Sequence, residues 1–190
     1  DEAVSRVLFA LPHVILRGLD VVWLVGALPV TVAALAWATF GRSLSRSRRL
    51  WAWLGFALIG LVELAAKHYV GTPMPPGSVV SVPWIDRLSA SLNAAESVWL
   101  PWLGGVVAAV TGHHEGGAAF GLAGSFPSGH VARITYVSAF VLARADRRLL
   151  TAIGFAAGLA VVATGGHWLW DAVGGFVLAW IALQAAARVR

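Results

Sequence analysis

The chain has 190 residues, 58% of them hydrophobic and only 12% charged, with a mean hydropathy of +0.76; a soluble domain of this size needs a polar skin that such a composition cannot supply. The formal charge of +5 and pI of about 11.0 suggest nucleic acid, but the arginines exclude that reading. They gather as Arg42, Arg46, Arg48 and Arg49, as Arg144, Arg147 and Arg148, and as Arg188 and Arg190, each group beside an apolar run, as in the basic cytoplasmic loops of membrane proteins. Without cysteine there are no disulfides and no thiolate chemistry.

Residues 4–19 are apolar but interrupted by Arg6, Pro12, His13 and Arg17, which predicts an interfacial helix or a lead-in segment rather than a full span. The opening Asp1 to Arg6 lacks the basic start and apolar core of a signal peptide. Residues 20–40 predict a first span, kinked at Pro29, and 41–49 a basic loop. Residues 50–69 predict a second span, and 71–92, rich in Pro, Gly and Ser, an extramembrane loop. In the apolar stretch 93–111, Glu96, Pro101 and Gly104-Gly105 leave open whether it crosses; 112–127 is Gly-rich. Further spans are expected at 129–144, 149–166 and 168–187. The expectation is a single all-α integral membrane domain over 1–190. It would be a bundle of about five to six transmembrane helices, with 1–19 leading into a catalytic bundle over 20–190. If the arginine clusters face the cytosol, the loop from 71 to 127 is outside and 93–111 is interfacial or re-entrant.

Spacing from the arginine clusters locates a site. Arg49 to Lys67 is 18 residues, His130 to Arg147 is 17 and Arg148 to His167 is 19, all roughly 25–29 Å of helix. Lys67, His130 and His167 therefore belong at one depth, on the extracytoplasmic side. Pro127, Ser128 and Gly129 are residues of a helix start, with Ser128 as N-cap. The free N–H groups of that turn form an anion seat beside His130, and Gly129 lets a ligand approach the backbone. His167 and Asp171 are four residues apart, so one helical face carries both. The carboxylate can then hold one imidazole nitrogen and leave the other to act as nucleophile. Glu63 and Lys67 have the spacing and order of a salt bridge. His113-His114-Glu115 has neither the spacing nor the rigid setting of a zinc site, and no carboxylate cluster suggests magnesium. Neither metal nor cofactor is expected.

At these residues the chain resembles the type 2 phosphatidic acid phosphatase superfamily. That family carries three motifs: a lysine followed after six residues by Arg-Pro, then Pro-Ser-Gly-His, then Ser-Arg followed by a histidine and, four residues on, an aspartate. Here Pro127-Ser128-Gly129-His130 is intact, His167 and Asp171 stand for the third motif, and Lys67 and Pro75 for the first. Met74 and Val161 stand where the family has its phosphate-clamping arginines, and Ala160 where it has the serine. Thr164-Gly165 before His167 is similar to the branch that includes inositol-phosphorylceramide and sphingomyelin synthases.

The resemblance implies that His167 attacks phosphorus, Asp171 orients it and His130 protonates the leaving alkoxide. Lys67, Ser128, Gly129 and Arg133 would bind the phosphate; Arg133, one turn beyond His130, would partly replace the missing clamp, or instead pair with a carboxylate such as Glu63 without touching substrate. His68 and Arg87 are weaker candidates. The leading expectation is a multi-pass plasma (inner) membrane phosphohydrolase for a phospholipid or polyprenyl phosphate. A phosphotransferase moving a phospho-headgroup onto a lipid or sugar alcohol is the second reading, and a non-catalytic lipid-binding relative the third. The expected partners are the lipid-linked phosphate and the bilayer, with no nucleic acid; oligomeric state is not legible.

Overall fold

The computed structural model describes residues 7, 11–19, 21–42, 44–70, 72, 75, 125–142 and 146–187. Every regular element among them is an α-helix: α1 (His13–Leu19), α2 (Val21–Gly26), α3 (Leu28–Phe40), α4 (Arg46–Val70), α5 (Gly129–Val141), α6 (Arg147–Ala163) and α7 (Leu169–Ala187). The expectations for 93–111 and for His113-His114-Glu115 fall outside the described residues.

The expected first span, 20–40, is two helices rather than one kinked helix. The break is at Ala27, which is extended (φ −59°, ψ 141°), and Pro29 lies in the first turn of α3. A proline there replaces an N–H that has no helical partner, so it starts a helix instead of bending one. The basic stretch 41–49 is also shorter as a loop than expected, because α4 already begins at Arg46. At the far end of α6, Thr164 closes the helix and Gly165 follows with a positive φ of 80°. That conformation is easy only for glycine and turns the chain toward His167.

Two windows are long and apolar enough to cross a membrane among the described residues, Arg46–Lys67 and Leu169–Ala186. The helices at the expected third and fourth spans are shorter, with 13 residues in α5 and 17 in α6, against roughly 20 for a full crossing. Helix α5 ends early because Leu142 turns extended.

Helix α5 is the centre of the bundle and packs against α3, α4, α6 and α7. Residues Val131 to Val137 are all buried. On one side Tyr136 and Ala132 join Leu35, Ala52, Ile59 and Ala179; on the other Val131 and Ile134 join Ala157, Val161 and Ala172. The Tyr136 hydroxyl reaches the carbonyls of Trp51 and Ala52 at 3.1 and 3.0 Å. It can do so because Gly55 has no side chain; a Cβ there would collide with the phenol. At the other end of α5, Arg42 donates to the Phe140 carbonyl at 3.3 Å. The α3–α4 connection and the C-terminus of α5 therefore share one end of the bundle.

Apolar residues also face outward. Leu50, Leu54, Leu58 and Leu61 of α4, and Val173, Val177 and Ile181 of α7, are exposed at spacings of three and four that mark one helical face each. Inside, Glu63, Ser125, Ser128, Arg133, Thr164, His167 and Asp171 are buried.

The Thr135 hydroxyl is buried with no hydrogen-bond partner among the described residues and lies where a Cβ on Gly154 would meet it. Thr135→Val removes a desolvated hydroxyl at constant shape, so stability in detergent should be unchanged or higher by about 1 kcal/mol. A thermal-unfolding midpoint that falls clearly below wild type would contradict this.

Candidate active site

The site forms where the C-terminal half of α4, the start of α5 and the α6–α7 turn meet, at the end of the bundle opposite Arg42 and Phe140. The approach to α5 runs through Ser125, whose N–H donates to the Thr72 carbonyl at 2.8 Å, and a cis Phe126-Pro127 bond. Ser128 is the N-cap, as its residue type predicts: its hydroxyl accepts from the Val131 N–H at 3.4 Å. Its own N–H donates to the Asp171 carbonyl at 2.8 Å, which joins the start of α5 to α7. Gly174 and Gly175 permit this closeness, since a Cβ at either would strike Phe126 or the Ser128 carbonyl.

His130 and His167 come together with ring centroids 6.4 Å apart. His167 is buried and His130 partly so. Asp171 follows His167 as expected, with Oδ2 3.5 Å from Nδ1. That is long for a charge-assisted hydrogen bond. The same oxygen accepts from the Trp168 N–H at 2.8 Å, and His167 Nδ1 makes no hydrogen bond among the described residues. Asp171 thus caps the first turn of α7 while facing Nδ1 of the imidazole, and Nε2 is the nitrogen on the other side of the ring.

The cations converge on one carboxylate. Lys67 Nζ meets Glu63 Oε1 at 2.8 Å, and Arg133 Nη1 meets Glu63 Oε2 at 2.8 Å. Arg133 also donates from Nε to the Gly26 carbonyl at 3.0 Å, a carbonyl released by the helix break at Ala27. Glu63 lies so close over Gly129 that a Cβ there would collide with its carboxyl group. The open backbone of Gly129, expected to receive a ligand, is covered by this chain's own anion. Lys67, Arg133 and His167 all lie within electrostatic reach of His130. Lys67, Ser128, Gly129, His130, Arg133, His167 and Asp171 therefore belong to one connected group. Val161 is fully buried among apolar side chains and supplies no charge. Met74, Arg87 and the side chain of His68 lie outside the described residues.

One neighbour was not foreseen. Trp23 of α2 stacks on His167 (centroids 5.7 Å, planes 11° apart) and meets His130 edge-on (4.4 Å, 64°). Its indole N–H donates to Thr164 Oγ1 at 2.8 Å. Composition alone marks Trp23 as one more tryptophan near a span end, and no spacing rule connects it to residues 140 positions later.

The bundle thus gathers two imidazoles, two carboxylates and two side-chain cations at a helix start, the kinds of group that phosphate-ester chemistry uses. The chain belongs to the PAP2 superfamily, whose family model matches residues 48–190. Membership gives phosphatase or phosphotransferase activity on phosphate esters as its activity class. No curated protein and no solved structure matches the chain at a significant level.

Arg133 satisfies two buried acceptors and Lys67 one. Arg133→Gln should therefore cost more stability, about 2–4 kcal/mol, than Lys67→Gln at about 1–2 kcal/mol. Unfolding of both variants in detergent checks the order; equal losses would show that the Gly26 contact contributes nothing.

Proposed function

We propose that this chain is a multi-pass membrane enzyme that cleaves a phosphate ester on a lipid through a phosphohistidine at His167. The observation that carries the reading is the His130–His167 pair, 6.4 Å apart at a capped helix start, with Asp171 behind His167. Two imidazoles at that separation can address a single phosphorus atom from different sides.

In this mechanism His167 Nε2 forms the N–P bond while the P–O ester bond breaks. His130, protonated, gives its proton to the leaving alkoxide and then takes one from the water that attacks the phosphohistidine. Asp171 faces Nδ1 and stabilises the positive charge that develops on the ring. The Ser128–Gly129 turn, Lys67 and Arg133 hold the phosphoryl oxygens, with Glu63 giving up part of its hold on the two cations as substrate arrives. No metal and no cofactor take part.

The lipid environment is inferred from the inverted surface. Leucine and valine stripes on α4 and α7 face outward while Glu63, Arg133, His167 and Asp171 are buried, which suits hydrocarbon rather than water. With the arginine-rich end on the cytoplasmic side, the site lies extracytoplasmically in the plasma (inner) membrane. Suitable substrates are phosphatidate-like lipids, phosphatidylglycerol phosphate, or a polyprenyl phosphate or pyrophosphate.

One observation favours transfer to an alcohol as the second reading. Glu63 neutralises one of the two cations, Lys67 and Arg133, and a phosphodiester monoanion needs less charge compensation than a monoester dianion. The Thr164-Gly165 resemblance to the phospho-headgroup transferases points the same way.

Phosphate release from these lipids by purified protein in detergent is the test. His167→Ala should lower turnover by about a thousandfold or more. His130→Ala should lower it by about a hundredfold and let acid-labile phosphohistidine accumulate where the leaving group needs no proton. Transfer to an added alcohol in place of phosphate release would select the second reading. A protein that binds these lipids yet neither hydrolyses nor transfers them would be the non-catalytic relative, and the proposal would fail.

A further inference from the structure

The family match begins at residue 48, yet the two histidines are in contact with a residue that precedes it. We infer that Trp23 is a positioning residue: its indole sets the ring plane of His167 and the spacing of His167 from His130. This rests on the phosphohistidine reading and adds to it a component that residues 48–190 do not contain.

The geometry around His167 requires such a component. A nucleophilic imidazole is ordinarily held by a hydrogen bond at the nitrogen opposite the one that attacks. Here Nδ1 is 3.5 Å from Asp171, whose facing oxygen is engaged by the Trp168 N–H, and it makes no hydrogen bond among the described residues. What lies flat against the ring is Trp23, 11° from parallel. Its edge contact with His130 is shorter still, at 4.4 Å, and the His130 imidazole also meets the Trp23 backbone.

The indole itself is fixed at two points. Its N–H is bound to Thr164, whose hydroxyl in turn donates to the Ala160 carbonyl at 2.8 Å. Its benzo edge fills the space over Gly166, where any Cβ would collide with it. Three residues on, Gly26 has His130 where its Cβ would be, and its carbonyl takes the Arg133 Nε. Helix α2 is thus attached to both histidine-bearing segments, and neither glycine position has room for a side chain.

Three variants and two readouts separate positioning from bulk stability. Trp23→Phe keeps a stacking face and loses the N–H, Thr164→Val loses the acceptor along with the hydroxyl's own bond to the Ala160 carbonyl, and Trp23→Ala loses both face and N–H. Activity is read as kcat and KM on the lipid phosphate turned over by wild type, in detergent, with unfolding midpoints measured alongside. The second readout is histidine side-chain 15N NMR, which reports ring environment and tautomer without turnover.

Trp23→Ala should lower kcat about a hundredfold with KM within about threefold, the pattern expected when a reacting group is misplaced. Trp23→Phe and Thr164→Val should each lower it by about three- to tenfold, and their double variant no further, because both remove one bond. The His167 ring resonances should shift in Trp23→Ala even if the fold is intact.

If His167→Ala abolishes turnover while Trp23→Ala turns over like wild type with unmoved His167 resonances, the positioning role is overturned and the phosphohistidine reading stands. If His167→Ala turns over like wild type, both fall. If Trp23→Ala unfolds, Trp23→Phe and Thr164→Val decide: additive losses, or none, overturn the inference.

Discussion

The carboxylate of Glu63 organises the site. It is buried, it lies against the backbone of Gly129, and it holds Lys67 from its own helix and Arg133 from the next. A carboxylate inside a bundle with a hydrocarbon-like exterior is stable only if its oxygens are fully engaged, and here each oxygen has its own cation. That requirement fixes the rotation of α4 against α5, because a turn of either helix would strand a charge. With the rotation fixed, Lys67 and the Ser128–His130 turn stand together. The joining of Ser128 to the Asp171 carbonyl then brings His167 into the same space.

The same arrangement accounts for how this site manages with so few positive charges. Where an arginine would follow the motif lysine the chain has Met74, and Val161 is an apolar core residue. Arg133 is the buried guanidinium of the central helix, but half of its fork faces Glu63 and its Nε faces Gly26. On the proposed function, a phosphoryl group entering the site would meet a lysine and an arginine already sharing one counter-anion. Binding would then be an exchange of one anion for another, with less desolvation than an empty cationic pocket would require.

Much of this was legible in the sequence because it rests on periodicity. Counting from the arginines placed Lys67, His130 and His167 at one depth, and the structure has the segments carrying them at one end of the bundle. The Ser128 cap, the Glu63–Lys67 pair and the approach of Asp171 to His167 follow from local spacing, and all are present. The break at Ala27 was not legible, since Pro29 in an apolar run reads equally as a kink or a start. That the missing side chain of Gly129 also admits Glu63, a partner 66 positions away, was not legible. Trp23 was missed for the same reason, because contacts between distant segments leave no periodic trace. Helices α5 and α6 are shorter than the apolar runs suggest, as hydropathy does not register where Leu142 and Gly165 redirect the chain.

The break at Ala27 has a wider meaning. An uninterrupted helix across residues 21–40 would put Pro29 in a helix interior, where its ring clashes with the Val25 carbonyl, and it would turn the Gly26 carbonyl inward to its own axis. By breaking there, the chain leaves one main-chain oxygen open to a donor, and the guanidinium that answers it comes from the most deeply enclosed helix of the bundle. One bond thereby ties the segment that precedes residue 48 to the central helix, on the side where Glu63 is held.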